Sequence, residues 1–270
     1  MLTEQKRPRK RSGRRRRRSK SLRSYLRKYK RKLYAMLKYA ATAIIAVCLT
    51  LAYLHFANGE KPTQRKMVAN GPYHGIDVSK FQGTIDWERV AEDENIQFVY
   101  IKASEGSSSV DSRYKENFRK AKKAGFKVGS YHYFLGWKPA KEQFDNFNRY
   151  IDRSKQDLIP MVDVELTGNK NVSRELLQSR LAEFMQLVKD EYGKYPLLYS
   201  QYRFYNDNLA PEFNKYFIFI ARYSNKEPVL KGKGKYNIWQ FSEKGRVAGI
   251  KGHVDLDRFA NGTTIADIEL

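Results

Sequence analysis

The stretch Leu158–Leu166 reads LIPMVDVEL and is apolar apart from two carboxylates, Asp163 and Glu165. A short run of this kind reads as a buried strand. Alternate side chains of a strand point to opposite faces, so Asp163 and Glu165 share one face and Val162 and Val164 the other. Burying an unpaired carboxylate is costly. The two acids therefore sit at a strand end open to water, or they are placed for chemistry.

Seven similar runs flank this one: YHGIDVS (73–79), QFVYIKAS (97–104), KVGSYHYF (127–134), YPLLYS (195–200), YFIFIAR (216–222), YNIWQFS (236–242) and HVDLDRF (253–259). Between the earlier ones lie helical patterns over 86–94, 112–125, about 138–153 and 173–193. The last carries Leu176, Leu177, Leu181, Phe184, Leu187 and Val188 as an apolar stripe, with Ser173 as N-cap and Gly193 as stop. Strand and helix alternation predicts an α/β domain with a parallel sheet. Eight strands predict a TIM-like (β/α) barrel, irregular in its second half because the later connections are too short for full helices.

The chemically active residues fall at the ends of these strands. Asp77 closes the first, Glu105 follows the second, His132 and Tyr133 close the third, and Asp163 and Glu165 the fourth. Arg222 closes the sixth and Gln240 the seventh, and Asp255 joins the acids from the last. In a β/α barrel such ends converge on one rim, where active sites are built. A rim of carboxylates suits either a hard cation or glycoside hydrolysis. No loop with metal-ligand spacing is present, so no metal is expected. Glycoside hydrolysis needs one carboxyl kept protonated and one kept ionised, and crowding like charges raises at least one pKa. It requires no cofactor. Tyr133, Phe134, Trp137, Tyr202, Tyr223 and Trp239 are candidate sugar platforms, with core packing as the alternative for each. His132 reads equally as a structural histidine or a sugar ligand, and Asp86 as a helix N-cap outside the site.

The net charge of +23 is unevenly placed. Residues 1–38 hold 18 Lys and Arg against one acid, Glu4, whereas the remainder holds 34 basic and 28 acidic residues. So basic a tail is expected to be disordered by itself. Residues 39–56, YAATAIIAVCLTLAYLHF, carry no formal charge. As a helix they span about 27 Å, near the thickness of a bilayer's hydrocarbon core. The basic excess on the N-terminal side predicts a cytoplasmic N-terminus and a C-terminal domain on the outer side. A cleaved signal peptide is the competing reading of the same span. The expected organisation is a basic tail (1–38), a transmembrane signal anchor (39–57), a linker (58–71) and a barrel domain (72–264). The only cysteine, Cys48, lies within the span, so the domain has neither a disulfide nor a reactive thiol.

The segments GIDVSKFQGTIDWERV (75–90), FVYIKASEG (98–106), GSYHYF (129–134), PMVDVE (160–165), LLYSQY (197–202), IARY (220–223) and IWQFSEKGRVAGIKGHVDLDRF (238–259) resemble, in order, the motifs of family 25 glycoside hydrolases, the Chalaropsis-type lysozymes. The resemblance implies a lysozyme that cleaves the β-1,4 bond between N-acetylmuramic acid and N-acetylglucosamine in peptidoglycan. By position Glu165 matches the general acid, and Asp163, Asp77 and Asp255 match the other active-site acids. Asp257 stands where many members carry Asn. Tyr133, Tyr199, Tyr223, Trp239, Gln240 and Glu105 are the expected substrate-binding residues. The resemblance favours a substrate-assisted, retaining route with Asp163 orienting the 2-acetamido group, although two strand-adjacent acids fit inverting and covalent retaining geometries as well. The expected partners are glycan strands and a membrane, with a monomeric state and no specific nucleic acid. A catalytically inactive wall-binding module and a tethered nucleic-acid binder are the competing functions.

Overall fold

The computed structural model describes residues 13–57, 67–68 and 71–270. Most of the expected linker 58–71 and the first residues of the basic tail lie outside the described residues. The chain divides into two compact units, residues 1–61 and 62–270.

Among its described residues the first unit is one helix, α1 (Gly13–Ala57). It begins inside the basic run, so residues 13–38 are helical where charge alone predicted disorder. Arg, Lys and Leu are good helix formers, and a helix already seeded in the apolar run extends through them at little cost. The segment Leu22–Leu51 contains a window long and apolar enough to cross a membrane. Ile44, Ile45, Val47 and Leu49 are exposed along it. The Thr42 and Thr50 hydroxyls donate back to the Lys38 and Ala46 carbonyls at 3.1 and 2.8 Å, which satisfies them within the helix.

The second unit is a closed barrel. Its strands are β1 (Gly75–Val78), β2 (Phe98–Glu105), β3 (Ser109–Val110), β4 (Lys127–Tyr133), β5 (Met161–Asp163), β6 (Leu197–Gln201), β7 (Ile218–Ala221), β8 (Ile238–Gly245) and β9 (Val254–Phe259). The sheet order is β1-β9-β8-β7-β6-β5-β4-β2-β3, and a β1–β2 pairing closes the ring. All eight expected strands form the barrel. The two-residue β3, a hairpin partner of β2, was not expected.

The sheet is not wholly parallel. Strand β9 runs antiparallel to both β8 and β1. Residues 246–253 are too few for a crossover, which needs a dozen or more residues, so the chain turns back as a hairpin. The start of β9 therefore reaches the rim formed by the ends of the other strands, and this brings Asp255 there.

The barrel interior is aromatic: Phe98, Tyr100, Tyr131, Tyr199 and Phe219 pack with Met161, Leu197 and Ile238. Gly75 and Gly129 make room, since a Cβ at either would stand 2.2 Å from the Phe98 ring or 2.4 Å from the Tyr100 ring. The opposite strand faces, among them Val99, Val162, Leu198 and Ile220, pack on the surrounding helices. These are α2 (Trp87–Val90), α3 (Tyr114–Lys123), α4 (Ala140–Tyr150), α5 (Leu166–Asn169), α6 (Arg174–Tyr192) and α7 (Tyr202–Asn208). Ser173 caps α6 and Gly193 ends it in the left-handed conformation, φ 82°. Asp86 caps α2. Residues 265–270, beyond the expected domain end at 264, pack on the barrel: Ile268 is fully buried and its carbonyl accepts from the Ile159 N–H at 2.9 Å.

Candidate active site

A cleft of about 280 Å³ opens at the rim, lined by Asp77, Asp163, Glu165 and Asp255 together with Tyr133, Tyr199 and Tyr223. Strand β5 ends at Asp163, and Glu165 is the residue that opens α5. The backbone there is pinned on both sides. The Ser200 hydroxyl donates to the Val164 carbonyl at 2.7 Å, and the Asn169 amide to the Glu165 carbonyl at 2.8 Å. The two carboxylates are thus held on the inner face that strand alternation assigns them.

Each acid is pushed towards its protonated form. For Asp77 burial is the main cause, then the charge of Asp255, opposed by a hydrogen bond from Gln240. For Asp163 burial leads, followed by the charge of Glu165 and opposed by Lys102. Burial raises Glu165, and the neighbouring Tyr199 phenol, the charge of Lys102 and the Tyr133 phenol moderate the rise. Asp255 is raised to about 6 by burial and then by the charges of Glu243 and Glu165. Burial also raises Tyr133, Tyr199 and Tyr223, so these phenols remain donors. Asp163 Oδ1 is buried and has no hydrogen-bond partner among the described residues.

Gln240 works from behind the cleft wall. Its Oε1 accepts from the Tyr199 and Tyr223 hydroxyls at 2.9 and 2.7 Å, and its Nε2 donates to Asp77 Oδ2 at 2.6 Å. Three cleft residues are therefore set by one amide whose orientation the two phenols dictate. Among the described residues no group of His, Cys, Asp and Glu has the arrangement to hold a metal ion.

The profile of Glycosyl hydrolases family 25 matches residues 76–250, which include every strand end of the cleft except Asp255. The chain belongs to glycosyl hydrolase family 25. The uncharacterized protein YegX of Escherichia coli K12 is 37% identical over 218 residues, covering 78% of each chain. The autolytic lysozyme of Clostridium acetobutylicum is 34% identical over 191 residues, 71% of this chain and 57% of that protein. Among solved structures, the bacterial lysozyme of Streptomyces coelicolor is similar with a TM-score of 0.65 at 28% identity, covering 74% of this chain and 96% of the other.

Two expected residues of the family 25 cleft lie elsewhere. Trp239 is buried on the outer face of β8, donates its indole N–H to the Arg222 carbonyl at 2.9 Å and carries the Arg258 guanidinium at 4.4 Å. Trp239 and Gln240 are neighbours on one strand, so only one of them can face inward. Glu105 stands outside the cleft lining and pairs with Lys102 at 2.7 Å. Of the other aromatics, Phe134 is fully buried in the outer core, Trp137 is exposed away from the cleft and Tyr202 lies under Arg222. His132 is structural: it is buried, stacks on Phe184 at 5.1 Å, meets Ser104 Oγ at 2.8 Å, and burial pushes it down to about 3.

The family 25 cleft also holds residues outside the expected set. Lys102 lines it, with its ammonium 4.5 Å from the Tyr133 ring centre. Tyr131, Phe81 and Glu243 line it too, and Phe81 is 81% exposed. Alternation from Tyr100 and Tyr133 points Lys102 and Tyr131 inward, and that signal was available.

Proposed function

We propose that the chain is a membrane-anchored N-acetylmuramidase acting on peptidoglycan by a substrate-assisted, retaining route. Membership of family 25 makes it a glycoside hydrolase, and the lysozymes among its relatives support the wall as substrate. The observation that carries the residue roles is the orphaned Asp163 Oδ1, a buried acceptor beside Glu165 in a cleft of acids.

That oxygen is suited to receive the N–H of a 2-acetamido group. Burial and like charge keep Asp163 and Glu165 from both ionising in the free protein. A donor arriving on Asp163 stabilises its charged form and leaves the proton with Glu165. Glu165 then gives that proton to the leaving glycosidic oxygen. The acetamido oxygen, oriented through its own N–H, attacks the anomeric carbon as the bond to the leaving sugar breaks. Positive charge forms next to Asp163, Asp77 and Asp255, whose ionised forms stabilise it. Glu165, now a carboxylate, takes a proton from the water that opens the intermediate. The product retains its anomeric configuration, and no sugar becomes bonded to the protein.

Glu165→Gln in the full chain, in detergent, tests the acid role. The amide has the same size but no proton to give, so clearing of a peptidoglycan suspension should fall by at least about 100-fold. Wild-type clearing by that variant removes Glu165 from this role. For topology, the basic residues before α1's apolar stretch favour an N-terminus in the cytoplasm and a barrel outside the cytoplasmic membrane. A reporter fused after Leu270 should be active only on the outer side, and activity in the cytoplasm would refute the assignment.

A further inference from the structure

Asp257 lies in the barrel wall just below the cleft, is fully buried and finds no hydrogen-bond partner for either carboxyl oxygen among the described residues. It sits opposite Gly75 of β1 and Gln240 of β8 in the pairing register. The neighbouring cation is turned away from it: Arg258 points to the other strand face, over Trp239 at 4.4 Å and Phe241 at 4.2 Å. The titratable groups bearing on Asp257 are Asp77 from β1 and Asp255 from its own strand, both acids, while Gln240 faces it from β8. Farther out, Glu243 of β8 lines the cleft, and Tyr131 and Tyr199 face the interior from across the barrel.

An ionised carboxylate in that position, with no cation and only the Gln240 amide facing it, is strongly disfavoured, so the group is a neutral acid. Burial, then the charges of Asp77 and Asp255, push it in that direction, opposed by the Gln240 amide. A neutral acid with unmet hydrogen bonds in a barrel wall weakens the fold, and such violations of packing are characteristic of functional sites. What it adjoins is the amide that sets the cleft. Gln240 spends its oxygen on two phenols and one N–H on Asp77, which leaves its second N–H for Asp257, its register partner on β9.

We propose that Asp257 is a positioning residue for Asp77: it braces the Gln240 amide from behind the cleft without adding a charge. This rests on the glycosidase reading for its effect on rate, but its protonation and its hold on Asp77 are properties of the free protein.

The test compares Asp257→Leu and Asp257→Asn in the full chain in detergent. Leucine removes the unmet polar group, so Asp257→Leu should melt at or above the wild-type temperature. Its kcat should fall at least tenfold with KM within twofold, and its Asp77 carboxyl, followed by carbon NMR, should titrate at higher pH. Asp257→Asn, a neutral polar isostere, should recover most of the lost kcat and return the Asp77 titration towards wild type. The infrared difference between wild type and Asp257→Asn at pH 7 should show the loss of a protonated carboxyl band. Wild-type kcat and Asp77 titration in Asp257→Leu would overturn the proposal, as would a difference spectrum of an ionised carboxylate. If Asp257→Leu does not fold, Asp257→Ala takes its place in the kcat and Asp77 titration measurements, with the same expected and overturning results. If the wild-type protein does not cleave peptidoglycan, the functional reading falls, and the titration and infrared results still decide this one.

Discussion

Asp255→Asn should make the barrel more stable at alkaline pH while removing an acid from the cleft. Asp255 is raised from 3.8 to about 6 by burial and by the charges of Glu243 and Glu165. Below pH 3.8 it is protonated in folded and unfolded chains alike, and it has no effect on the balance. Between 3.8 and about 6 the unfolded chain has released a proton that the folded chain keeps, so raising the pH favours unfolding. Above about 6 the whole cost is in place. The rise from 3.8 to about 6 corresponds to about 3 kcal/mol, and water at the cleft mouth reduces this to about 1–3 kcal/mol. Asparagine carries no charge at any pH, so the variant should exceed wild type by that amount at pH 8 and match it near pH 4. For a barrel of this size the gain corresponds to about 2–10 °C in melting temperature. Tryptophan fluorescence can follow it, because Trp87 and Trp239 are both buried in the barrel. A stability difference that does not change with pH, or a variant less stable than wild type at pH 8, would refute the electrostatic reasoning. Hydrolysis should fall in the same variant, since the charge that strains the folded protein is also one that stabilises the developing cation.

Lys102→Met removes a charge that lowers both Asp163 and Glu165. Both carboxyls should then hold their protons to higher pH, and the alkaline limb of the rate profile should move upward; a limb that stays in place or moves down would exclude Lys102 as their counter-charge. Trp239→Phe should cost about 1–3 kcal/mol of stability, through the lost indole hydrogen bond and the weaker Arg258 stack, with KM within about twofold. A large rise in KM without loss of stability would put the indole back among the sugar contacts.

How far the barrel could be read from the sequence depended on what each feature requires. Strands buried on both faces appear as apolar runs whatever surrounds them, which is why the eight barrel strands were legible. The cluster of Asp77, Asp163 and Glu165 was legible because period-two alternation and the rim of a barrel together leave acids at strand ends one place to go. The direction of β9 is not written in HVDLDRF itself. It lies in the short span 246–253 before it, and that length alone excludes a parallel return. The aromatic lining was misjudged for a related reason. Trp239 and Gln240 cannot both line the cleft, because adjacent residues of one strand face opposite sides. Applied strictly, alternation sends Trp239 outward with Ile220 and Leu198 and keeps Gln240 inside. Gln240's bonds to Tyr199, Tyr223 and Asp77 join three strands besides its own or their following loop, and no local pattern announces such a meeting. The same holds for Asp257. In sequence it is one more inward position of a strand that already supplies Asp255. Only the closed ring, which sets it between Gly75 and Gln240 and turns Arg258 away, makes it a buried acid without a counter-charge.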